Sequence, residues 1–248
     1  MSSTEVPTSE PEGQHTHEPH NSNGLAQRLN WLRAGVLGAN DGIVSVAAVV
    51  VGVAGATTQT APILTAGAAA LVGGAVSMAL GEYVSVSSQR DSEQALIAKE
   101  RRELEEMPEE ELAELAGIYQ AKGLTPGTAQ RVAEELTAHD ALAAHLSAEL
   151  NIDQTDVVSP WHAAFASLTA FLVGGILPLA AILIPGPEWR VPVTFIAVLL
   201  ALAVTGGLGA YIGGSGRWRA ALRVVIGGAL ALVTTFAVGT LLGASGVF

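Results

Sequence analysis

The chain has 248 residues, of which 50% are hydrophobic and only 14% are charged, and its formal net charge is −11. Soluble domains are usually about a quarter charged, so the composition favours a protein that is embedded in a membrane over the alternative of a soluble core of Ala, Val and Gly. The chain contains no cysteine, which excludes disulfides and thiolate metal sites, and its acidic balance argues against nucleic acid as a partner.

Residues 1–30 form a polar N-terminal tail with four acidic side chains and one basic side chain. The tail lacks the apolar core of a cleavable signal peptide, and its composition predicts disorder. It carries His15, His17 and His20, which could gather metal ions only weakly on a flexible segment.

Five mostly apolar stretches follow, and each has the length of about eighteen residues or more that a membrane-spanning helix needs. They are residues 36–56, 62–84, 163–184, 191–212 and 221–243. We therefore predict an all-α, polytopic membrane protein with five transmembrane helices and a three-helix cytoplasmic domain inserted between the second and the third. The predicted divisions are the tail 1–30, helices 1 and 2 in 31–87, the acidic metal-binding domain 88–158, and helices 3 to 5 in 159–248.

The basic residues predict how the spans are oriented, because Lys and Arg concentrate in cytoplasmic loops. Eleven of the 12 basic residues fall on one side of the predicted spans, and only Arg190 falls on the other. The N-terminus and residues 85–160 should therefore be cytoplasmic, with the C-terminus on the opposite side. The ten arginines against two lysines, among many Ala and Gly residues, favour a bacterial plasma membrane.

Asp41 lies inside the first apolar stretch. A carboxylate within a bilayer is costly, so it usually faces a partner, a cavity or an ion path. An acid at the water interface and a pair with Arg33, about two turns earlier, are the alternatives. On the second stretch, Met78 and Glu82 are four residues apart and share one helix face. The alternatives there are ordinary packing for Met78 and an interfacial acid for Glu82.

Residues 85–160 hold 16 acidic and six basic side chains, and their pattern predicts three helices. The first continues the second span as far as Glu106, because a proline follows at position 108. The second runs over 108–122 and starts on that proline. The third runs from Thr125, as N-cap, to about Leu150.

Glutamates in this segment form two pairs with a spacing of three residues, which places each pair on one helix face. Glu149 could join the pairs if the helices fold together, and Met107 and His145 could add softer ligands. Carboxylates are hard donors that suit Mn²⁺, Fe²⁺ or Ca²⁺. Acids that stabilise a helix N-terminus, or that simply form a solvated face, are the alternatives. The paired residues are Glu100, Glu103, Glu111 and Glu114.

Three stretches, together with the acidic segment, resemble the vacuolar iron transporter family over residues 30–245. They are residues 32–45 (LRAGVLGANDGIVS), 74–91 (GAVSMALGEYVSVSSQRD) and 174–179 (GGILPL). The resemblance implies five spanning helices, a homodimer, and movement of Fe²⁺, and often Mn²⁺, out of the cytosol in exchange for protons. It implies no prosthetic group, because the metal is the substrate and the proton is the coupling ion.

The resemblance also assigns site residues. It implies that the membrane-embedded aspartate and methionine of the family are Asp41 and Met78. Plant members carry a methionine pair just before the last cytoplasmic glutamate, where this chain has His145 and Leu146. The family's cytoplasmic glutamates correspond to Glu100, Glu103, Glu111, Glu114 and Glu149.

A mechanism of capture and transfer fits these residues. We expect the acidic helices to capture the metal and to pass it to Glu82, Met78 and Asp41, while protons return from the far side. Gly209-x-x-x-Gly213 and Gly239-x-x-x-Gly243 fit close helix packing in membranes.

Two other functions remain as alternatives: an Mn²⁺-preferring transporter, and a membrane-anchored metal sensor that does not transport. Polar residues deep in the first two spans argue against a simple anchor, which does not need them. We do not expect an enzyme, since the sequence has no cysteine nucleophile, Gly-rich phosphate loop or plausible triad.

Overall fold

The structure, a computed structural model, describes residues 25–152, 159–214 and 216–246. The tail histidines His15, His17 and His20 lie outside these ranges. The described residues fold into helices without any strand, as the all-α prediction requires. The seven helices are α1 (Leu25–Ala56), α2 (Thr60–Glu106), α3 (Pro108–Ala121), α4 (Pro126–Ala148), α5 (Pro160–Leu183), α6 (Arg190–Ile212) and α7 (Arg217–Ala244).

Five of these helices are long and apolar enough to cross a membrane, which confirms the predicted spans. They are the part of α1 from Trp31 to Ala56 and the helices α2, α5, α6 and α7. The first helix begins earlier than predicted, so the last six residues of the predicted tail are helical. Leu, Ala, Gln and Arg in this stretch are good helix formers and extend the helix.

Exposed aromatic side chains mark one end of the five-helix bundle. Trp31 and Trp161 lie near the starts of α1 and α5, while Tyr211 and Trp218 lie at the end of α6 and the start of α7. Tyr83 of α2 lies at the same level, with its ring centroid 4.7 Å from that of Trp161. Trp and Tyr concentrate at membrane interfaces. We call this level the aromatic end, and α2 continues for more than twenty residues beyond it.

Helices α1 and α5 pack closely at the centre of the bundle because glycines remove side chains from their contact. A Cβ at Gly42 would overlap the carbonyl oxygen of Phe171, and a Cβ at Gly174 would overlap that of Ala39. The Phe171 side chain is itself almost fully buried in the core. This contact fixes the position of the α1 segment that carries Asp41.

Glycines of α7 make a similar contact with α1. A Cβ at Gly239 would overlap the carbonyl oxygen of Gly52, and a Cβ at Gly243 would lie 2.7 Å from the carbonyl oxygen of Ala56. The Gly239-x-x-x-Gly243 pattern therefore serves helix packing within the chain.

We expect Gly239→Ala to destabilise the protein, because overpacking a tight contact costs about 1–3 kcal/mol. Gly227→Ala on the same helix is the matched control, since a Cβ there meets nothing within 4 Å and alanine favours a helix. Thermal unfolding of the purified variants in detergent measures the difference. Equal melting temperatures for the two variants would contradict the close contact.

At the opposite end of the bundle, Arg190 is buried and forms hydrogen bonds with residues at the α1–α2 connection. Its Nη1 donates to the carbonyl oxygen of Thr58 at 3.1 Å, and its Nη2 donates to Thr60 Oγ1 at 3.3 Å. The one basic residue that the sequence assigned to this side therefore joins the start of α6 to the α1–α2 connection.

Helices α3 and α4 pack against each other and against the part of α2 that extends past the aromatic end. We call residues 88–149 the acidic unit. Its small core is built on Leu115, Ala116 and Ala133. The three predicted helices are thus present, and they form one packed body.

Helix α4 differs from the uninterrupted helix that the sequence predicted. Asp140 has extended backbone angles (φ −158°, ψ 95°), and its carboxylate accepts a hydrogen bond from the Ala143 N–H at 3.0 Å. Asp140 therefore acts as an internal N-cap that starts the last turns of α4 in a new direction. The helix then ends at Ala148 rather than near Leu150. This break redirects the segment that carries His145.

Candidate metal centre and membrane cavity

Three helices of the acidic unit bring one histidine and three glutamates together. The Nδ1 atom of His145 lies 2.9 Å from Glu100 Oε1, 3.6 Å from Glu111 Oε2 and 3.8 Å from Glu149 Oε2. Glu100 belongs to α2, Glu111 to α3 and His145 to α4. Glu149 is the first residue after the end of α4. We call these four residues the buried cluster. Tertiary folding builds it, because no single helix carries more than two of its members.

The buried cluster has donor atoms without partners. His145 is fully buried, and Glu100 and Glu111 are only 3% and 5% exposed. Among the described residues, neither ring nitrogen of His145 has a hydrogen-bond partner. Within the same residues, Glu100 Oε1 also has no hydrogen-bond partner, although His145 Nδ1 lies close to it. Buried polar atoms are normally hydrogen-bonded. A divalent cation would accept these lone pairs, and a set of carboxylates with one imidazole suits Fe²⁺ or Mn²⁺.

The electrostatics of the cluster also favour a cation. Burial raises the pKa of the Glu111 carboxyl, and the negative charge of Glu114 acts in the same direction, whereas His145 lowers it. Glu103 and Glu149 add further negative charge around Glu111. A bound cation would offset this repulsion between the carboxylates.

The other predicted ligands lie at the edge of the cluster. Glu103 pairs with Lys99 at 2.7 Å, and Glu114 is exposed on α3. Met107 is 37% exposed at the junction of α2 and α3. The two glutamate pairs therefore divide into inner members, Glu100 and Glu111, and outer members that contribute charge.

A separate cavity of about 330 Å³ is lined by residues of α1, α2 and α5. All three residues predicted for the transport path line it: Asp41, Met78 and Glu82. The Asp41 carboxylate accepts a hydrogen bond from Ser45 Oγ at 2.7 Å. Ser45 was not among the predicted site residues, although its spacing of four residues from Asp41 places both on the same helix face. We call this space the transport cavity.

Glu82, which lines the transport cavity, forms an ion pair with an arginine of α1. Arg33 Nη2 lies 2.8 Å from Glu82 Oε1, and Glu82 is only 8% exposed. The alternative of an Arg33–Asp41 pair is thus replaced by an Arg33–Glu82 pair that joins α1 to α2. Met78 packs partly against the bundle core as well as lining the cavity.

We expect Arg33→Gln to destabilise the protein by about 1–3 kcal/mol, because it leaves a buried carboxylate without its charged partner. The double variant Arg33→Gln with Glu82→Gln should recover most of this loss, since it removes both charges. A double-mutant cycle of thermal unfolding in detergent measures the coupling. Additive single and double effects would show that the pair is not coupled.

Comparison with known proteins gives consistent matches over most of the chain. The model of the VIT family matches residues 32–240. A "Vacuolar iron transporter" of Acanthamoeba castellanii is 46% identical over 212 residues, covering 85% of this chain and 78% of its own length. "Vacuolar iron transporter homolog 2" of Oryza sativa subsp. japonica is 36% identical and covers 85% of this chain and 90% of its own length. Together with five membrane-spanning helices, these matches identify an integral membrane protein, and the chain belongs to the VIT family.

Proposed function

We propose that this protein is a proton-coupled exporter that moves Fe²⁺, and also Mn²⁺, out of the cytosol. Membership of the VIT family supports metal ion transport. The observation that carries the proposal is that one helix, α2, contributes to both candidate sites: Glu100 to the buried cluster, and Met78 and Glu82 to the transport cavity. Glu82 and Glu100 are about 27 Å apart along the helix, at 1.5 Å per residue.

In this proposal the buried cluster captures the ion at the cytoplasmic surface. Its carboxylates and the His145 imidazole replace water around the metal. The strongly acidic unit also raises the local concentration of cations. Plant members of the family have methionine where this cluster has His145. An imidazole can ligate both Fe²⁺ and Mn²⁺.

The transport cavity then provides a transient membrane site. Asp41 offers a carboxylate, Met78 a thioether, and Glu82 a second carboxylate that must leave Arg33 to bind metal. Weak, mixed ligation of this kind allows an ion to enter and to leave again. A carboxylate binds either a proton or a metal, so proton return from the far side would reset Asp41.

The proposed orientation follows the distribution of basic residues. The N-terminus and the acidic unit are placed in the cytoplasm, and the C-terminus on the far side of what we take to be a bacterial plasma membrane. Metal and protons are substrate and coupling ion, and the mechanism needs no prosthetic group, no nucleic acid and no catalytic residue.

We further propose that the protein works as a homodimer. The transport cavity is lined on its outer side by exposed residues of α1 and α2, among them Val49, Ser77 and Gly81. A polar Ser77 on an outer helix face favours contact with protein over lipid.

The cysteine-free sequence allows a direct test of this dimer. We expect a single Ser77→Cys variant to form a disulfide-linked dimer in membranes under mild oxidation, because the two copies would meet along α2. Thr169→Cys, exposed on α5, is the matched control and should remain monomeric. Equal cross-linking of both variants would contradict an interface at α2.

Two alternatives lead to different outcomes of one transport assay. Purified protein in liposomes is compared with protein-free liposomes for entry of Fe²⁺ and of Mn²⁺ under an imposed pH gradient. The proposal predicts entry of both ions. Entry of Mn²⁺ alone would indicate an Mn²⁺-preferring transporter. No entry of either ion, together with intact metal binding by the acidic unit, would indicate a membrane-anchored sensor.

A further inference from the structure

A second cavity, of about 490 Å³, lies between α1, α6 and α7 and shares no lining residue with the transport cavity. It is located at the aromatic end, where Tyr211 and Trp218 are exposed on either side of the α6–α7 connection. Its wall includes five large apolar side chains: Leu32, Val36, Leu37, Ile212 and Val224.

Small residues of α6 keep this cavity open. A Cβ at Gly213 would meet only the carbonyl oxygen of Gly209 in its own helix, at 3.3 Å, and one at Gly209 would meet only Val36. Gly209 of the predicted Gly209-x-x-x-Gly213 pattern therefore approaches α1 closely, since its Cβ would lie 3.1 Å from Val36, whereas a Cβ at Gly213 would meet no other helix of the described chain. Gly213 leaves space that another molecule can fill.

Two arginines, Arg33 and Arg223, line the cavity, and none of its lining residues in the described part of the chain is acidic. Arg33 is engaged with Glu82. Arg223 lies in the second turn of α7 and makes no hydrogen bond or ion pair with another described residue. Arg223 is exposed near the start of α7, and a long basic side chain near the end of a spanning helix extends to the membrane interface. The positive charge of the two arginines therefore favours binding of an anion in this cavity.

A polar atom deeper in the cavity also lacks a partner. Asn40 lines the wall, and its side-chain oxygen is buried without a hydrogen-bond partner among the described residues. A hydroxyl group of a ligand could donate to it, as could a water molecule carried with that ligand. A ligand that matches the two arginines, the apolar walls and the buried acceptor is an amphipathic anion with hydroxyl groups.

We propose that this cavity binds an anionic phospholipid, with the phosphate at Arg223 and Arg33 and an acyl chain along the apolar wall. The location at the head-group level places a lipid phosphate within reach of both arginines. Guanidinium groups bind phosphate with paired, charge-assisted hydrogen bonds, and basic pockets between spanning helices are suited to anionic head groups. A metal ion is disfavoured by the positive charge of the same arginines.

The test measures lipid-dependent thermal stabilisation of the full-length protein in detergent. Phosphatidylglycerol is compared with phosphatidylcholine of the same acyl chains and with inorganic phosphate. Arg223→Gln is compared with Arg219→Gln, an exposed arginine of α7 that does not line the cavity. Gly213→Leu keeps both arginines and fills the space, so it tests the cavity even if Arg223→Gln fails to fold.

Phosphatidylglycerol should raise the melting temperature of the wild type and of Arg219→Gln. Arg223→Gln should need about tenfold more lipid for the same shift, which is the effect of one charge-assisted contact, and Gly213→Leu should also lose the response. Equal shifts with phosphatidylcholine, or with inorganic phosphate, would overturn the proposal. So would equal losses in both arginine variants, an unchanged response of Gly213→Leu, or a shift that depends on protein concentration and so indicates a second copy.

Discussion

Asp41→Asn should abolish Fe²⁺ flux through liposome-reconstituted protein while metal binding by the acidic unit survives. Asn has nearly the same shape but offers a weaker, neutral ligand that cannot exchange a proton for a metal. Loss of even an outer-shell partner of a metal ligand costs about 10–100-fold. We therefore expect a decrease in flux of about a hundredfold or more. The measurement is the initial rate of Fe²⁺ entry at equal protein incorporation.

Asp91→Asn is the matched control for this change, because Asp91 is an exposed aspartate of α2 beyond the aromatic end. It should transport Fe²⁺ at the rate of the wild type. Metal-dependent stabilisation, measured on the same preparations, should be equal in both variants. If Asp41→Asn transported at the wild-type rate, the transport cavity would not be the path.

Glu111→Gln should have opposite effects on the apo protein and on the metal-bound protein. Burial raises the pKa of Glu111, with Glu114 adding to the shift, so its ionised form costs stability without a metal. The neutral amide removes that cost and should raise the apo melting temperature. The same change removes a metal ligand and should abolish most of the stabilisation by Fe²⁺ or Mn²⁺, which for the wild type is about 2.7 kcal/mol at 100 times the Kd.

The sign of the pH dependence follows from the raised pKa of Glu111. Its cost to the apo protein is absent below the pKa of the unfolded chain, 4.5, and is complete above the folded pKa. Acidification from neutral pH should therefore stabilise the apo wild type relative to Glu111→Gln. The stabilisation by metal should shrink over the same range, because protons compete with the metal for the carboxylate.

Glu135→Gln is the control for these measurements, because Glu135 is exposed on α4 outside the buried cluster. It should change neither the apo stability nor the response to metal. A Glu111→Gln protein that responded to Fe²⁺ like the wild type would show that the buried cluster is not the metal site.

The membrane part of the fold could be predicted from the sequence because the bilayer imposes a simple rule on helix length and polarity. That rule located five spans within a few residues. Helix packing was harder to predict, because a pattern of small residues does not identify the helix against which it packs. Gly239 meets Gly52 of the same chain, while Gly213 lines a cavity.

The candidate metal centre could be predicted only in part, because sequence spacing describes one helix at a time. The glutamate spacing indicated a shared face, but not that Glu100 and Glu111 would be buried while Glu103 pairs with Lys99. The central position of His145 depends on the break at Asp140. An aspartate in the middle of a predicted helix, with its preference for N-caps, was the signal for that break.

The ion pair between Arg33 and Glu82 was the feature that was hardest to predict from the sequence. Glu82 is 49 positions away from Arg33 in the chain, and only the antiparallel packing of α1 and α2 brings them together. Sequence proximity offered Asp41 as an alternative partner, but the Asp41 carboxylate accepts a hydrogen bond from Ser45 of the same helix instead.

We propose that Fe²⁺ crosses the membrane in exchange for protons. The most direct test records Fe²⁺ entry and internal pH together in liposomes that contain the wild-type protein and are acidic inside. Fe²⁺ entry should be accompanied by proton exit, should slow when the proton gradient is collapsed, and should be lost together with proton exit in Asp41→Asn. Fe²⁺ entry without proton exit, or entry at an unchanged rate after the gradient is collapsed, would contradict proton-coupled exchange.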